Sequence, residues 1–244
     1  MTSTLPKSEV HLWCAPWSTV TDPSLLAAYE GLLTEDEHAS YRRFHFEEGR
    51  REYLMTRALV RDVLSRYEPE TKPADWRFVR SSHGRPSVAP GMSKRGIVFN
   101  LSNTKGLVVC AVSRDEVGVD VEPAGRGDQV LPIADTVFSV DELAALRALP
   151  PREQTKRAID LWTLKESFIK ARGLGFSLPL DRFTLCVDGG TLSIRIDPSI
   201  AVSGERWQFA LVKPTGEHLV ALCMERGGQD GDKAVIVRTI VPLR

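Results

Sequence analysis

The sequence lacks the features that would place it in a membrane, in the secretory pathway or in a disulfide-rich class. No run of about 18 apolar residues is present, so no membrane-spanning helix is predicted. The four cysteines form no CxxC pair, and a disulfide framework is not expected. The N-terminus has neither the basic nor the apolar segment of a signal peptide. These absences predict a cytoplasmic protein in a reducing compartment.

The chain has no excess of charge of either sign, because 32 Lys and Arg balance 32 Asp and Glu. No bulk attraction to nucleic acid or to a membrane surface is therefore expected. The charge is nevertheless unevenly placed. Residues 42–95 hold thirteen basic and seven acidic side chains, whereas residues 115–153 hold three basic and nine acidic ones. This distribution predicts a basic region that meets anions and an acidic region that holds a cation or presents acids.

Common nucleotide-binding and hydrolase motifs are also missing. The sequence contains no GxxxxGK[ST], no GxGxxG and no GxSxG, the motifs of P-loop NTPases, dinucleotide-binding domains and α/β-hydrolases. His83 has no other His or Cys near it in the sequence, so a transition-metal site is not indicated. The candidates that remain for chemistry are carboxylates, lysines and arginines.

The hydrophobic periodicity alternates between helical and strand-like blocks. Helical spacing predicts long helices over 47–67 and 151–172, whereas a period near two predicts strands at 97–102, 107–113 and 117–122 and again from 183. At 244 residues the chain has room for one large domain or two small ones. The order of the blocks predicts an α+β fold of two similar α/β lobes related by a pseudo-twofold axis, each with a small, mostly antiparallel sheet packed on helices.

The predicted N-terminal lobe spans residues 1–115 and the C-terminal lobe spans residues 116–226, followed by a linker and tail over 227–244. The Gly-rich start of this last segment predicts a flexible linker. Its apolar end, 234–243, can add a strand or pack on the body, and the sequence leaves both possibilities open. Because two lobes can close a site between themselves, a monomer is expected.

Asp120 and Glu122 place two carboxylates at i and i+2 on a predicted strand, so both point to one face. Adjacent acids repel each other unless a cation lies between them, and hard oxygen ligands suit Mg²⁺. The alternative is an exposed strand end, because Pro123 and a Gly-rich loop follow immediately.

The longest predicted helix carries an acid and an amine one turn apart. Trp162, Glu166 and Lys170 recur at i, i+4 and i+8 and line one face, with Lys165 at its edge. Glu166 is a candidate third metal-binding carboxylate, and Lys170 a candidate phosphate partner or proton donor. The alternative is an ordinary surface pair worth roughly 0.3–0.5 kcal/mol, with Trp162 in the core.

Two polar turns and a cluster of arginines offer groups that bind phosphate. The turn over 102–106 joins two apolar strands and contains a hydroxyl, backbone amides and a lysine, although a plain hairpin turn needs no function. The turn over 82–86 presents Arg85. Arginine binds phosphate bidentately, but on a helix it is also typical of a solvated face. A capping-box pattern at Thr34 predicts a further helix that runs towards Phe44. The arginines in this helix and in the one over 47–67 are Arg42, Arg43, Arg50, Arg51, Arg57 and Arg61.

Taken together, four stretches resemble the 4'-phosphopantetheinyl transferases, and specifically their larger, two-lobed, Sfp-type branch. In chain order the stretches are Gly84-Arg85-Pro86, Phe99-Asn100-Leu101-Ser102, Gly118-Val119-Asp120-Val121-Glu122 and Trp162-Thr163-Leu164-Lys165-Glu166-Ser167-Phe168-Ile169-Lys170. The Arg-rich helical segment is also similar to the family's N-terminal lobe, and the resemblance covers roughly residues 10–225. The Lys-Glu-Ser-Phe form is that of the KES subgroup, which often serves secondary metabolism such as nonribosomal peptide and polyketide synthesis.

The resemblance implies a reaction. The phosphopantetheine arm of coenzyme A is transferred to a serine of an apo acyl or peptidyl carrier protein, and 3',5'-ADP is left behind. Carried over by position, Asp120, Glu122 and Glu166 are the implied Mg²⁺ ligands. Glu166 is also the implied base for the serine hydroxyl, and Lys170 is implied to neutralise or protonate the leaving phosphate.

The resemblance also implies contacts with coenzyme A, and here the chain departs from the family pattern. Asn103 stands where the family usually has a histidine that helps to hold the 3'-phosphate, and Glu37 and Ser40 stand where it has lysines. Nearby arginines are the expected substitutes. The predicted coenzyme A ligands are Arg43, Arg51, Arg85, Ser102, Asn103 and Lys165.

These departures leave two other functions open. One is a carrier-protein-binding module with weak or lost transferase activity, because Asn103 carries no charge and the lysines are missing. The other is a Mg²⁺-dependent phosphohydrolase that uses the same acids. An active transferase is the preferred hypothesis, because neither departure touches the three acids or Lys170.

Overall fold

The computed structural model describes residues 3–188, 190–198, 200, 204–227 and 231–244, so part of the predicted linker (228–230) lies outside the described residues. The α-helices in this part of the chain are α1 Pro23–Glu30, α2 Glu35–Tyr41, α3 Glu47–Tyr67, α4 Gly127–Val130, α5 Ala134–Val137, α6 Val140–Arg147 and α7 Pro151–Arg172. The strands are β1 Glu9–Pro16, β2 Phe78–Arg80, β3 Pro86–Val88, β4 Val98–Thr104, β5 Leu107–Ser113, β6 Val117–Pro123, β7 Phe183–Asp188, β8 Thr191–Ile196, β9 Trp207–Val212, β10 His218–Glu225 and β11 Ala234–Thr239. Over the described residues, none of the helices combines the length and the apolar character needed to cross a bilayer.

Local sequence signals set the limits of the two longest helices. α7 begins at Pro151, and because proline has no N–H, no unpaired donor is left at this position of the first turn. The helix ends at Gly173, which has the left-handed conformation with φ of 63°. The buried residues of α3, including Leu54, Ala58 and Leu59, recur at helical spacing. Both helices have the bounds that the periodicity predicts.

The first sheet contains four strands in the order β11-β1-β5-β4. β5 pairs antiparallel with β1 and β4, whereas β11 pairs parallel with β1. Side chains alternate along β1, so that Trp13 and Ala15 join the core under α3 while Leu12 and Cys14 join a core on the opposite face. Both faces of the central strands are therefore buried, which accounts for their uninterrupted apolar sequences.

The second sheet contains three antiparallel strands in the order β6-β10-β9, and β7 and β8 form a separate hairpin. α7 packs on this sheet against β6 and β10. The ring centroid of Phe168 on α7 lies 5.0 Å from that of Phe183 and 5.6 Å from that of Trp207. These aromatic pairs anchor the middle of α7, the part of the helix that carries the predicted site residues.

A layer of aliphatic side chains joins the two sheets. It includes Leu12 and Val109 from the first sheet and Val119, Val121 and Leu222 from the second, all at most 2% exposed. The predicted fold class is confirmed, since the protein is a mixed α+β structure of small, mostly antiparallel sheets packed on helices. The pseudo-twofold relation between the lobes stays a prediction.

α7 and β6 are in backbone contact at Gly118. A Cβ atom at this position would lie 2.1 Å from Ser167 O and 2.2 Å from Ala171 N. Any side chain here would push the helix away from the strand, because real Cβ contacts are never so short. Gly118 therefore determines how near the functional side chains of α7 come to those of β6.

The C-terminal segment returns to the N-terminal part of the chain. β11 pairs with β1 from Ala234 opposite Glu9 to Thr239 opposite Cys14. Beyond β11, the hydroxyl of Tyr29 donates to the Pro242 carbonyl over 2.9 Å. The segment thus does both things that the sequence left open, adding a strand and packing on the body.

Several short elements were not predicted. The sequence predicts a Gly-rich loop over 124–129, but α4 begins at Gly127, where a Cβ atom would lie 2.0 Å from Thr155 O. The turn of helix therefore packs directly on α7, which sequence periodicity does not reveal. β3 and α5 were also missed. α2, expected to run towards Phe44, ends at Tyr41.

Candidate active site

β6 and α7 bring the predicted acids and the predicted amine together. Asp120 and Glu122 on β6 are 5% and 7% exposed, and each contacts a side chain of α7. Asp120 contacts Lys170, and Glu122 contacts Trp162. The spacing of two along the strand therefore places both acids on the face that α7 covers, as the sequence predicts.

Asp120 is held by a lysine and a serine. Lys170 Nζ donates to Asp120 Oδ1 over 2.6 Å, and Ser102 Oγ donates to the same oxygen over 3.1 Å. Asp120 Oδ2 is buried and has no hydrogen-bond partner. A buried carboxylate oxygen without a partner lowers the stability of the fold unless another group binds it. Asp120 Oδ2 is therefore available to coordinate a cation.

Glu122 is engaged through both of its oxygens. Trp162 Nε1 donates to Glu122 Oε1 over 2.9 Å. Arg126 Nη1 lies 2.6 Å from Oε1 and 2.6 Å from Oε2. Trp162 is thus half-buried at the site instead of belonging wholly to the core, the alternative that the sequence left open.

Glu166 is the acid with the most perturbed titration. Its pKa is raised to about 7, chiefly by burial, next by the negative charge of Asp120 and more weakly by that of Glu122. The positive charges of Lys170 and Arg126 oppose this rise in the pKa. Glu166 Oε1 is buried without a hydrogen-bond partner. The carboxyl group is therefore poised to gain or lose a proton near neutral pH.

The described residues include no three Asp, Glu, His or Cys side chains arranged closely enough to hold a metal ion. The chemistry of the donors nevertheless suits a hard divalent cation, because all three groups are carboxylates and two of their buried oxygens lack partners. Lys170 and Arg126 neutralise Asp120 and Glu122 in this arrangement. The three carboxylates are therefore the type of ligand that Mg²⁺ prefers. In this structure Asp120 is paired with Lys170 and Glu122 with Arg126.

A cleft of about 260 Å³ opens beside Glu166 and Lys170. Its other walls come from the turn that precedes β3, from β4 and from the loop after α7. The lining residues include Arg85, Asn100, Leu101, Glu166, Lys170 and Gly173. The cleft thus lies between the two predicted lobes and borders the acidic cluster.

Side chains of β4 bind the backbone of β6 and so couple the two sheets. Asn100 Oδ1 accepts from Val119 N over 2.9 Å, and Ser102 Oγ accepts from Val121 N over 3.2 Å. Both strands lie at the edges of their sheets, so these side chains satisfy amides that no neighbouring strand pairs. Ser102 Oγ also accepts from Lys170 Nζ over 2.8 Å. The contact between β4 and β6 is therefore connected to the Lys170–Asp120 pair.

Arg85 lies at the cleft, but its guanidinium is already engaged by the protein. Nη1 lies 2.8 Å from Glu116 Oε2 and donates to the Ala171 carbonyl over 2.8 Å. Nη2 donates to the Val117 carbonyl over 3.2 Å. Arg85 therefore ties the end of α7 to the start of β6, in addition to facing the cleft.

The other predicted coenzyme A ligands of the N-terminal lobe lie outside the cleft lining. Asn103 Nδ2 donates to Glu52 Oε1 over 2.5 Å at the end of β4. Arg51 forms a helix pair with Glu47, with 2.6 Å between Nη2 and Oε1. Arg43 is exposed in the turn after α2. These three side chains are accessible from solvent, and their predicted contacts with coenzyme A stay predictions.

Lys165 is not brought together with the other site residues. Its side chain is fully buried, with Nζ 2.7 Å from Glu142 Oε2 and 2.7 Å from each of the carbonyls of Leu180 and Phe183. Burial lowers its pKa, and the charge of Glu142 opposes that shift. An amine held by three acceptors in the interior stabilises the packing around Glu142, which favours a structural role over the predicted contact with coenzyme A.

Two residues of the site were missed in the sequence. The sequence places Arg126 in a Gly-rich loop, and only its distance of four residues from Glu122 indicates a pair. Asn100 belongs to one of the family motifs, and as a polar residue inside the apolar run over 97–101 it indicates a buried hydrogen bond.

Comparison with known proteins gives a consistent result over nearly the whole chain. Residues 116–223 match the family described as the 4'-phosphopantetheinyl transferase superfamily, and residues 16–115 match the family described as 4'-phosphopantetheinyl transferase, N-terminal. The 4'-phosphopantetheinyl transferase HetI of Nostoc sp. is 33% identical over 71% of this chain and 73% of its own length. The 4'-phosphopantetheinyl transferase Sfp of Bacillus subtilis is 33% identical over 70% and 74%, respectively.

A third relative extends the match along the chain. The phosphopantetheinyl transferase of Thraustochytrium sp. is 28% identical over 94% of this chain and 83% of its own length. The two family matches and these relatives agree with the resemblance carried by the motifs on β4, β6 and α7. The chain belongs to the 4'-phosphopantetheinyl transferases of the Sfp type.

Proposed function

We propose that the protein transfers the 4'-phosphopantetheine group of coenzyme A to a serine of an apo acyl or peptidyl carrier protein, giving holo carrier protein and 3',5'-ADP. The observation that carries this proposal is the contact of Lys170 with Asp120 beside the cleft, with Glu166 near enough for the charges of Asp120 and Glu122 to raise its pKa. Phosphoryl transfer depends mainly on positioning and charge neutralisation, and this arrangement of acids and a lysine suits both.

Mg²⁺ is the proposed cofactor, and Asp120, Glu122 and Glu166 are its proposed ligands. A bound divalent cation would neutralise the pyrophosphate of coenzyme A and the charge that develops on it during transfer. The unpaired Asp120 Oδ2 and Glu166 Oε1 support this assignment, because they are the donor atoms that the protein leaves free.

Glu166 and Lys170 are the proposed catalytic residues. The serine oxygen forms a bond to the β-phosphorus of coenzyme A while the bond from that phosphorus to the bridging oxygen of 3',5'-ADP breaks. Glu166 lines the cleft and accepts the serine proton, directly or through a water. Lys170 places its ammonium group beside Asp120 and the cleft, where it neutralises or protonates the departing phosphate.

The cleft and the basic region beside it are the proposed binding site for coenzyme A. Arg85 lines the cleft directly, and Ser102 lies behind Lys170. The accessible Arg43, Arg51 and Asn103 are further candidates for its phosphates. Lys165 is left out of this set because the protein's interior engages it.

The physiological setting is also part of the proposal. The Lys-Glu-Ser-Phe sequence on α7 favours the KES subgroup and a role in secondary metabolism, such as activation of nonribosomal peptide or polyketide carrier domains. We further propose that the protein is a monomer, because two lobes of one chain can form the whole site. Its proposed location is the cytoplasm.

The experiment is a conversion assay read by intact-protein mass spectrometry. The full chain is incubated with coenzyme A, Mg²⁺ and a panel of apo carrier proteins, and each carrier is examined for the mass of one added phosphopantetheine. Glu166→Gln is expected to abolish the conversion, whereas Glu153→Gln, an exposed acid at the start of the same helix, is expected to leave it unchanged. Full conversion by Glu166→Gln would overturn the assigned role.

The same assay separates the alternatives. Carrier binding without any mass increment at saturating coenzyme A supports a binding module, the alternative that the uncharged Asn103 favours. Release of phosphopantetheine from coenzyme A in the absence of a carrier supports a phosphohydrolase. Either result in place of carrier modification rejects the proposed transfer.

A further inference from the structure

We propose that Arg126 is an internal counterion that occupies Glu122 while the site is free of metal and is displaced when a divalent cation binds. The inference rests on the proposed metal site and concerns how the cation gains access to it. On this proposal Arg126 contacts no substrate and acts through Glu122, by lowering the affinity of the site for the cation.

The first observation is that Arg126 blocks the carboxylate group itself. Its Nη1 is 2.6 Å from each oxygen of Glu122, and Trp162 Nε1 takes a further position on Oε1. A carboxylate has about four lone-pair positions, and these three contacts leave at most one of them, on Oε2, without a partner. A cation at that position would lie beside a guanidinium of the same charge, so the two compete for Glu122 and binding of the cation favours departure of the guanidinium.

The second observation is that the Arg126 side chain is partly exposed, whereas that of Glu122 is buried. The Arg126 side chain is 40% exposed, whereas that of Glu122 is 9% exposed. An exposed partner loses little when its ion pair opens, because water solvates the charge. The backbone on one side is fixed, since Gly127 packs on the Thr155 carbonyl, so the change is a swing of the side chain.

The third observation is the contrast with Lys170. Lys170 binds only Oδ1 of Asp120 and also donates to Ser102, while Asp120 Oδ2 has no partner. A cation can bind Oδ2 without moving Lys170. Of the two basic side chains on these acids, Arg126 alone must therefore give way, and Lys170 stays in place for catalysis.

The test measures binding of Mg²⁺ and Mn²⁺ to the full chain without substrates, by calorimetry and by the electron paramagnetic resonance signal of free Mn²⁺. Arg126→Gln is expected to bind either cation about tenfold more tightly than the wild type, a change equivalent to ~1.4 kcal/mol. Arg126→Lys, which keeps the charge but loses the guanidinium, is expected to fall between them. Arg152→Gln removes an exposed arginine at the start of α7 and is expected to match the wild type.

The outcomes distinguish this inference from the proposed function. If the wild type binds the cation and Arg126→Gln binds it equally or more weakly, the inference is wrong and the metal site stands. If Arg126→Lys binds the cation as tightly as the wild type, the positive charge at this position alone sets the affinity. Displacement of the guanidinium is then not needed, and the inference is likewise wrong. If neither cation binds the wild type or Arg126→Gln, or if Asp120→Asn leaves binding intact, the proposed metal site itself fails.

Discussion

Lys170 Nζ lies 2.6 Å from Asp120 Oδ1, and this contact joins α7 to β6 across the wall of the cleft. Asp120 is 5% exposed, whereas the Lys170 side chain is 30% exposed. The acid is therefore fixed in the interior, and the amine reaches from it towards the space where a phosphate can bind. The pair links the stability of the metal-free protein to its proposed catalysis.

Replacing Lys170 by methionine is expected to harm both properties. Stability is expected to fall by about 1–3 kcal/mol, because Asp120 keeps only the Ser102 hydrogen bond and its charge stays buried. The rate of carrier modification is expected to fall by roughly 10²–10⁴-fold through loss of the proton donor. Urea unfolding and the initial rate of modification provide the two measurements.

A second lysine of α7 serves as the control. Lys156 pairs with Asp160 four residues away, and its side chain is 69% exposed. Because Asp160 is 7% exposed, Lys156→Met is also expected to lower stability by about 1–3 kcal/mol, but it is expected to leave the rate unchanged. Equal losses of rate in the two variants would show that Lys170 has no special role.

Glu166 gives the metal-free protein a predicted pH dependence. Its pKa is raised from 4.5 in the unfolded chain to about 7 in the folded protein. Its contribution to stability is therefore fully present below about 4.5 and is lost as the pH rises through about 7. The free energy of unfolding, measured in chelator between pH 5 and 8, should fall less steeply for Glu166→Gln than for the wild type. Parallel curves would place the titration elsewhere.

Lys165→Met is expected to destabilise the protein without acting through the site. The replacement leaves Glu142 buried at 2% exposure without its cation, which costs about 3–5 kcal/mol. Adding Glu142→Gln is expected to recover part of this loss, since no uncompensated charge then remains. Urea unfolding of both variants provides the measurement. A stable Lys165→Met protein with weakened coenzyme A binding would instead restore the contact that the sequence predicts.

Gly118→Ala is expected to lower stability and to weaken catalysis together. The added methyl group overlaps the Ser167 carbonyl at 2.1 Å, and relief of that clash moves α7 away from β6. A loss of about 1–3 kcal/mol or more is expected, as for other overpacked sites. Thermal unfolding tests this against Gly125→Ala, where nothing lies within 4 Å of the added atom. Similar unfolding temperatures for both variants would contradict the close packing.

Removal of residues 234–244 is expected to destabilise the N-terminal lobe. The truncation exposes the edge of β1 and removes the contacts of Pro242 with Tyr29 and of Arg244 with Asp22. An open strand edge promotes association between chains, so a lower unfolding temperature and concentration-dependent light scattering are expected. A truncated chain that stays monomeric and unfolds like the full chain would make β11 dispensable.

Sequence reasoning succeeded where a local pattern determines the structure. The apolar spacing of α3 and α7 gave their bounds, and the period of two placed Asp120 and Glu122 on one face of β6. The family resemblance then selected those acids together with Glu166 and Lys170. The comparisons confirm the family, while the roles of the individual residues stay predictions.

The rest could not be predicted because it depends on which elements pack together. A helical projection places Lys165 beside Glu166, but it does not show that the lysine points towards Glu142 on α6. The hydrogen bond from Val119 N to Asn100 and the pairing of Arg126 with Glu122 likewise depend on tertiary structure. β11 pairs with a strand from the opposite end of the chain, a register that no local signal encodes.

The central claim is that Asp120, Glu122 and Glu166 together hold one divalent cation at the cleft. The most direct measurement is a crystal structure of the protein with coenzyme A and Mn²⁺, with the ion located by its anomalous scattering. We expect a single ion at the cleft with oxygens of all three acids within about 2.5 Å, or joined to it through one water, and with the pyrophosphate as a further ligand. An ion bound elsewhere, or coenzyme A bound with the three acids still apart, would contradict it.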